Sequence, residues 1–525
     1  MSKTYDFIVV GSGHNPLITA AYLAKAGFKI LVLERSEHLG GGVITQELGL
    51  PGFKHDLHST VHAYIQVNPL LLKDELGLKA NYGLEYIYPD VPVLTIFDDQ
   101  TSIATYADID RTCDSIASIS PRDAEAYRKF AAASQALLPM LVSGLFVPPA
   151  PMGPFLNLLD QSSEGRDLIG ILQKSALDLV LEHFENEKVI LHLLKFVSEG
   201  IVAPEEKGTG ITLFTMPGFV HTYPPGLPKG GSGMLVESLI RCLKDSDAEL
   251  RESAEVSKIL TENGKTSGVR LSDGEELYAK QGVIASIHPH LIADYVSGLD
   301  DKLVENARKV MPSSYSPITA HFSMSEAPKF NVGEIANDAL ITGLISPSLE
   351  SFRRVFDSYR YGELPKQNIL TSLVHSNHDA ERAPDDAATL YLWTFAPFTL
   401  RDGGVEKWDE LKEQAGKDLL HQFQPYCSNV NESTILESRF ATPLDVLRHS
   451  PSFQYGDVHG AGAFFNQFGG HRPTPELSQY AVPGVDGLYL SGCCMHPGGG
   501  VMGGGRATAI KIFDDYELDF DKSLN

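Results

Sequence analysis

Cysteine is scarce in this chain. Cys113, Cys242, Cys427, Cys493 and Cys494 are the only five in 525 residues, and no two form a C-x-x-C pair. That spacing excludes a C-x-x-C redox dithiol and argues against a thiolate zinc site, so no metal is expected. Scattered thiols suit a reducing compartment. Positive charge is short as well: 43 Lys and Arg stand against 67 Asp and Glu, leaving a net charge of −24. A field of that sign repels nucleic acid and anionic lipid at long range, and neither is expected as a default partner. Internal repeats and low-complexity tracts are missing. No leader-like apolar run comes before the first strand, because "MSKTY" (residues 1–5) leads directly into it; the expected location is cytoplasmic.

What is present supports a packed core. The 43% of hydrophobic and 21% of charged residues are an ordinary globular balance, and 525 residues suffice for two domains or one large domain with a discontinuous partner. "DFIVV" (residues 6–10) reads as a buried parallel strand. Gly11-Ser12-Gly13 follows, then a helical pattern over residues 15–27. A second apolar strand, "KILVLE" (residues 29–34), ends in Glu34, 23 residues after Gly11. This order is what a dinucleotide site requires. Gly11 permits the tight turn, Gly13 lets main chain approach a pyrophosphate, the helix start holds phosphate, and Glu34 accepts ribose hydroxyls. Pro16 stands where the third glycine of G-x-G-x-x-G belongs. That glycine serves helix–strand packing, and a first helical turn tolerates proline. Asn15 is the expected N-cap.

The far end carries a second signal. "LYLSG" (residues 488–492) is a short strand ending in Gly492, six of the residues 493–505 are glycine, and "RATAIKIF" (residues 506–513) reads as a helix. Strand, glycine loop and helix start can hold another polar part of the same cofactor.

With these residues in view, "GSGHNPLITAAYLAKAGFKILVLERSEHLGGGVIT" resembles the N-terminal signature of FAD-dependent amine oxidases and phytoene desaturases. "MHPGGGVMGGGRATA" resembles the C-terminal FAD motif of the phytoene desaturase family. It is nearest to the branch with carotenoid isomerases and pyridine nucleotide-disulphide oxidoreductase domain 2 proteins. The resemblance implies a non-covalently bound FAD. It implies that Glu34 binds the adenosine ribose and that Gly41 and Gly42 lie near the pyrophosphate. Many family members carry arginine where Gly42 stands, and Arg35 is one candidate for the missing charge. Val256 is implied near the adenine, and Gly492 near the pyrophosphate and ribityl chain. Val501, Met502 and Gly503 are implied at a helix start aimed at the flavin. Counterparts of "YPPGLPKGGSGMLVESL" (residues 223–239) and of segments at 437–446, 456–467 and 472–475 extend the resemblance over nearly the whole chain.

The expected fold class is therefore α/β. A Rossmann-type FAD-binding domain would be assembled from residues 1–75, 225–300 and 455–525. An α+β substrate domain on a mixed sheet would be inserted as residues 76–224 and 301–454, with strands near 317–324, 368–375 and 389–398 and a helix over 122–141. Residues 130–159 carry no charge but include five prolines, at 139, 148, 149, 151 and 154. The prolines argue against a continuous membrane-spanning helix. A lid over a substrate tunnel, a surface that dips into a bilayer or docks a partner (chiefly 137–159), and core packing stay open.

No second strand–G-x-G-x-x-G–helix unit exists for a nicotinamide, which weakens a nicotinamide-dependent reading; reduced flavin would pass electrons to oxygen, a quinone or another protein, or be recycled in a reaction with no net oxidation. His496 is the first candidate for chemistry near the flavin, then His459, Gln467 and Arg472. His55, His58 and His62 form a local run open to structural, flavin-lining or acid–base roles. The expected activity is FAD-dependent dehydrogenation or desaturation of an apolar, isoprenoid-like substrate by hydride transfer. A redox-neutral double-bond isomerase and an amine oxidase are the alternatives.

Overall fold

A computed structural model describes residues 4–345 and 348–524. The first strand, β1 (Thr4–Val10), lies between two parallel neighbours, β2 (Ile30–Leu33) and the strand Glu276–Ala285. Its inner stretch, residues 7–9, is covered on both faces and has no solvent side, which is why the sequence there is continuously apolar rather than alternating. Phe7, Ile8 and Val9 are fully buried. The sheet runs Val256–Glu262, Lys265–Leu271, Glu276–Ala285, β1, β2, Glu249–Arg251, with Leu488–Leu490 added parallel to Glu276–Ala285. N-terminal, central and C-terminal stretches thus share one sheet. The meander at its edge turns at Asn263-Gly264, both at positive φ (51° and 78°), the two-residue geometry that matches strand twist.

Helix α1 (His14–Lys25) joins β1 to β2. Its N-cap is Gly13, not Asn15. Asn15 and Pro16 are therefore the second and third helical residues, where no N–H has an intrahelical partner, and proline fits without loss. The Asn15 side chain instead accepts the N–H of Gly505 at 3.3 Å. Gly505 opens the C-terminal helix, Gly505–Asp515. A Cβ on Gly505 would stand 2.0 Å from the Asn15 carbonyl oxygen. The glycine that lets α1 pack closely thus sits on the helix opposite, not in the turn. Thr19 Oγ1 lies 2.9 Å from both the Gly505 carbonyl and the Ser491 hydroxyl, extending the same seam. One residue on, Arg506 donates to both oxygens of Glu75 (2.7 and 2.8 Å), which also accepts the Tyr22 hydroxyl at 2.6 Å.

The second sheet runs Ile435–Ala441, Ser316–Met324, Ala388–Ala396, Leu370–Leu373, Ala339–Ile345, Val91–Phe97, Ser102–Thr105. It is antiparallel except where Val91–Phe97 pairs with Ala339–Ile345. One face packs on helices Pro121–Leu145, Ala176–His183, Glu187–Ser198 and Gly210–Thr222 through Phe97, Ile345 and Phe395. The other face packs on helix Lys407–Phe423 through Leu94, Phe322 and Leu392. Helix Pro121–Leu145 continues through Pro139, stops before Pro148, and gives way to Met152–Leu159. Among the described residues no helix is long and apolar enough to cross a membrane.

The hairpin Thr45–Glu47/Lys54–Asp56 carries the junction between the sheets. Asp56 Oδ1 accepts the Thr45 hydroxyl (2.6 Å) and the Ser232 N–H (2.9 Å), and Oδ2 accepts Arg382 (2.7 Å). Both side chains of the pair are fully enclosed. Arg382→Ala would leave that carboxylate charged, enclosed and unpaired, a loss of about 3–5 kcal/mol. Denaturant titration is the check, and wild-type stability in this variant would contradict it. At the helix seam, Gly505→Ala should cost about 1–3 kcal/mol by overpacking. The flavin expected from the sequence should also leave this variant at a lower temperature than wild type, read by flavin fluorescence during a melt.

Candidate active site

A cleft of about 740 Å³ runs from the Gly11 turn to the helix-covered face of the second sheet. Gly11, Gly13, Asn15, Glu34, Arg35, Gly41, Gly42, Val256, Gly492 and Val501 all border it. Glu34 is aimed by the turn itself: Oε2 accepts the Ser12 N–H (2.9 Å) and hydroxyl (2.7 Å), and Oε1 accepts the Ser36 N–H (2.9 Å). Ser12 also accepts the Gly40 N–H at 3.1 Å, tying the second glycine run to the first. Gly41, at φ 59°, lies so close to Gly13 that a Cβ would stand 3.1 Å from the Gly13 Cα. Main chain is therefore bare where the two glycine runs meet.

At Gly42 a Cβ would stand 2.9 Å from Phe453 Cζ. The room a side chain would need is taken by Phe453, which stacks on His449 at 6.1 Å. His449 Nε2 lies 3.1 Å from the Gly41 carbonyl. Arg35 turns toward Glu255 at 3.8 Å, both partly exposed, and such a pair holds little energy. His14 and His58 also border the cleft, each with Nε2 buried and unpartnered. Burial holds their imidazoles neutral, pushed down to about 4 and about 3, with His449 adding to the effect at His58. His62 is spent inside the protein, between the Tyr86 hydroxyl and Ser232. His55 lies 3.3 Å from Ser323.

Of the four side chains expected to do chemistry, His459 borders the cleft. It packs on the glycine loop so closely that a Cβ on Gly499 would stand 2.3 Å from its own. Burial lowers its pKa. The other three are absent from the lining. His496 Nε2 meets the Gly144 carbonyl at 2.9 Å, and burial pushes its pKa down to about 4. Gln467 brackets Met311, accepting its N–H and donating to its carbonyl. Arg472 donates to the carbonyls of Ala461, Gly462, Cys493 and Met495 at 2.9–3.3 Å. These three shape the loops around the site. Met502 and Gly503 also stand off the cleft, their carbonyls tied to the Asn68 amide at 3.0 Å, and the helix starts two residues later, at Gly505.

The inner end is built by register. Leu373 and Tyr391 are paired across strands, as are Thr371 and Trp393, and Val93 and Ile341. All six border the cleft, facing Met216, Phe219 and Val220 of helix Gly210–Thr222. Spacing of two along each strand puts them on one face. The residues fit an FAD: bare main chain at the glycine runs, an aimed carboxylate at Glu34, and two buried imidazole nitrogens without partners. Among the described residues no group of three or more His, Cys, Asp or Glu side chains could hold a metal.

The chain is similar to known proteins over nearly its whole length. A limonene dehydrogenase chain of Castellaniella defragrans is 26% identical, over 98% of this chain and 96% of its own length. Pyridine nucleotide-disulfide oxidoreductase domain-containing protein 2 of Rattus norvegicus is 26% identical, over 98% and 94%. A lycopene-forming phytoene desaturase of Pantoea ananas is 23% identical, over 97% and 99%. Among solved structures, an oxidoreductase of Methanosarcina mazei superposes with TM-score 0.61 over 98% of this chain and all of its own, at 15% identity. Putrescine oxidase bound to putrescine superposes with TM-score 0.59 over 98% of this chain and all of its own, at 13% identity. The family model for flavin-containing amine oxidoreductases matches residues 17–399. The chain is an FAD-dependent oxidoreductase and belongs to the family of flavin-containing amine oxidoreductases.

Proposed function

We propose that the protein removes two hydrogens from adjacent carbons of an apolar, isoprenoid-like substrate. The observation that carries this is continuity: one cleft joins the glycine cradle to a floor of Val93, Ile341 and Leu373 under Met216, Phe219 and Val220. The limonene dehydrogenase and phytoene desaturase relatives support the same substrate class. FAD, when bound, supplies the two-electron acceptor. Glu34 would accept the adenosine ribose hydroxyls. The bare main chain at Gly11, Gly13, Gly41 and Gly42 would face the pyrophosphate, with Val256 toward the adenine and Gly492 and Val501 toward the ring system. The apolar walls keep water from the reacting carbons, which protects the product side of the reaction. His459, neutral and next to the glycine loop, is the side chain placed to hold a proton there.

In this reading, residues 1–75, 225–300 and 455–525 bind FAD, and 76–224 and 301–454 hold the substrate. Reduced cofactor would pass electrons to oxygen or a quinone. The exposed Met140 and Leu158, on the helices that flank the proline break, favour peripheral membrane contact through residues 137–159, where a greasy substrate would be collected.

The purified protein should be yellow, and terpenoid substrates should bleach it anaerobically. The product should be two mass units lighter than the substrate by mass spectrometry. An unchanged mass would support the isomerase instead, and bleaching by amines alone, with peroxide formed in air, the amine oxidase. Glu34→Gln, which removes the charge but keeps the shape, should weaken FAD binding by about 1.5–3 kcal/mol, roughly tenfold or more in Kd. Fluorescence titration of the apoprotein with FAD measures it.

A further inference from the structure

The inner end of the cleft is not uniformly apolar. Glu199, just beyond helix Glu187–Ser198, borders it. One of its oxygens is locked from two sides. The Lys195 ammonium pairs with Glu199 Oε1 and also donates to Thr371 Oγ1 at 2.8 Å. Thr371 in turn donates its hydroxyl to Glu199 Oε1 at 2.8 Å. Among the described residues no hydrogen bond reaches Glu199 Oε2. The Lys195 side chain is 3% exposed and that of Glu199 23%, so the ammonium is sealed behind the carboxylate, which keeps an open side. Gly343, paired between Thr95 and Thr371 on this face, makes the seal, because a Cβ there would stand 3.1 Å from Lys195 Cγ.

Two more polar groups border this end. Trp393 pairs directly with Thr371, and Tyr391 follows two residues earlier on the same face. The Trp393 indole N–H and the Tyr391 hydroxyl are buried and have no hydrogen-bond partner. Burial, with the negative charge of Asp56 and Glu199 nearby, holds the Tyr391 phenol protonated.

A hydrocarbon filling such a pocket would strip water from the carboxylate and return nothing, and it would leave both donors unpaired. An amine would bring a cation beside a carboxylate that Lys195 already neutralises. A hydroxyl, neutral and able both to donate and to accept, meets every group present. We propose that the substrate is an isoprenoid-like alcohol whose hydroxyl donates to Glu199 Oε2 and is met by the donors of Tyr391 and Trp393, with its apolar body along the floor toward the glycine loop. This rests on the reading of the cleft as a site for apolar substrates and adds the head group.

The test uses the FAD-loaded enzyme and the shift of its visible flavin spectrum on binding. The probes are geraniol and farnesol, each beside its methyl ether and the hydrocarbon lacking the oxygen. The alcohols should bind about tenfold or more tightly than their ethers, as expected for a hydrogen bond to a charged acceptor. Glu199→Gln should shrink that preference, and Trp393→Phe should weaken the alcohol and the ether alike, since the indole only donates. The wild-type series alone can overturn the proposal, so it does not depend on whether a variant folds. Ethers and hydrocarbons binding as tightly as the alcohols would reject the hydroxyl while leaving the apolar reading in place. If none of these compounds perturbs the flavin while amines do, both readings fall together.

Discussion

The active cleft depends on a contact with almost nothing in it: the Gly505 backbone against the Asn15 carbonyl, where a single Cβ would stand at 2.0 Å. Through that contact the helix from the C-terminus lies flush on the helix that follows the first glycine turn. The strand Leu488–Leu490 enters the same sheet two places from β1. Both glycine loops then face one volume. Everything the glycine-loop end of the cleft offers, from Glu34 to Val501, follows from two helix starts and two strand ends being held at that spacing. The large side chains elsewhere in the seam, Arg506, Glu75 and Tyr22, form a hydrogen-bonded group that aligns it.

The second half of the cleft is held to the first by buried charge and by carbonyl contacts. The Asp56–Arg382 pair joins the hairpin beside the glycine cradle to a turn of the second sheet, and both of its ions are sealed from water. Such a pair contributes geometry more than net stability, because desolvation offsets much of the Coulomb attraction. The proline-broken segment between the two apolar helices is held differently. His496 meets the carbonyl of Gly144, Arg506 donates to that of Phe146, and Gln479 to that of Pro149. A proline-rich stretch lacks N–H groups for a ladder of its own, so its carbonyls are free to be held by side chains from the C-terminal block.

Much of the fold at the glycine-loop end of the cleft was legible in the sequence because its grammar is local. Strand, turn, helix, strand and acid lie within residues 4–34, and each is set by spacing that a single stretch reveals. The strands near 317–324 and 389–398 were readable for the same reason. The cap of α1 was not. Asn15 is a good capping residue, but its side chain is claimed by an N–H 490 positions away. His496, Gln467 and Arg472 lie in or near the glycine-rich segments, and nearness in sequence carries no information on which way a side chain turns. Lys195 and Glu199 were signalled faintly, by a Lys four residues before a Glu in an otherwise apolar run, because these two residue types are buried almost only when paired. That they meet Thr371 depends on strand register, which no local pattern encodes.

The sheet order has a consequence for how the protein comes into being. β1 is made well before the strand Leu488–Leu490, which joins the same sheet two places away, and before the helix Gly505–Asp515. Domains tend to fold as units during synthesis, N-terminal parts first. Here the cleft at the first glycine turn stays half-walled until Leu488–Leu490 and Gly505–Asp515 have been made, long after β1.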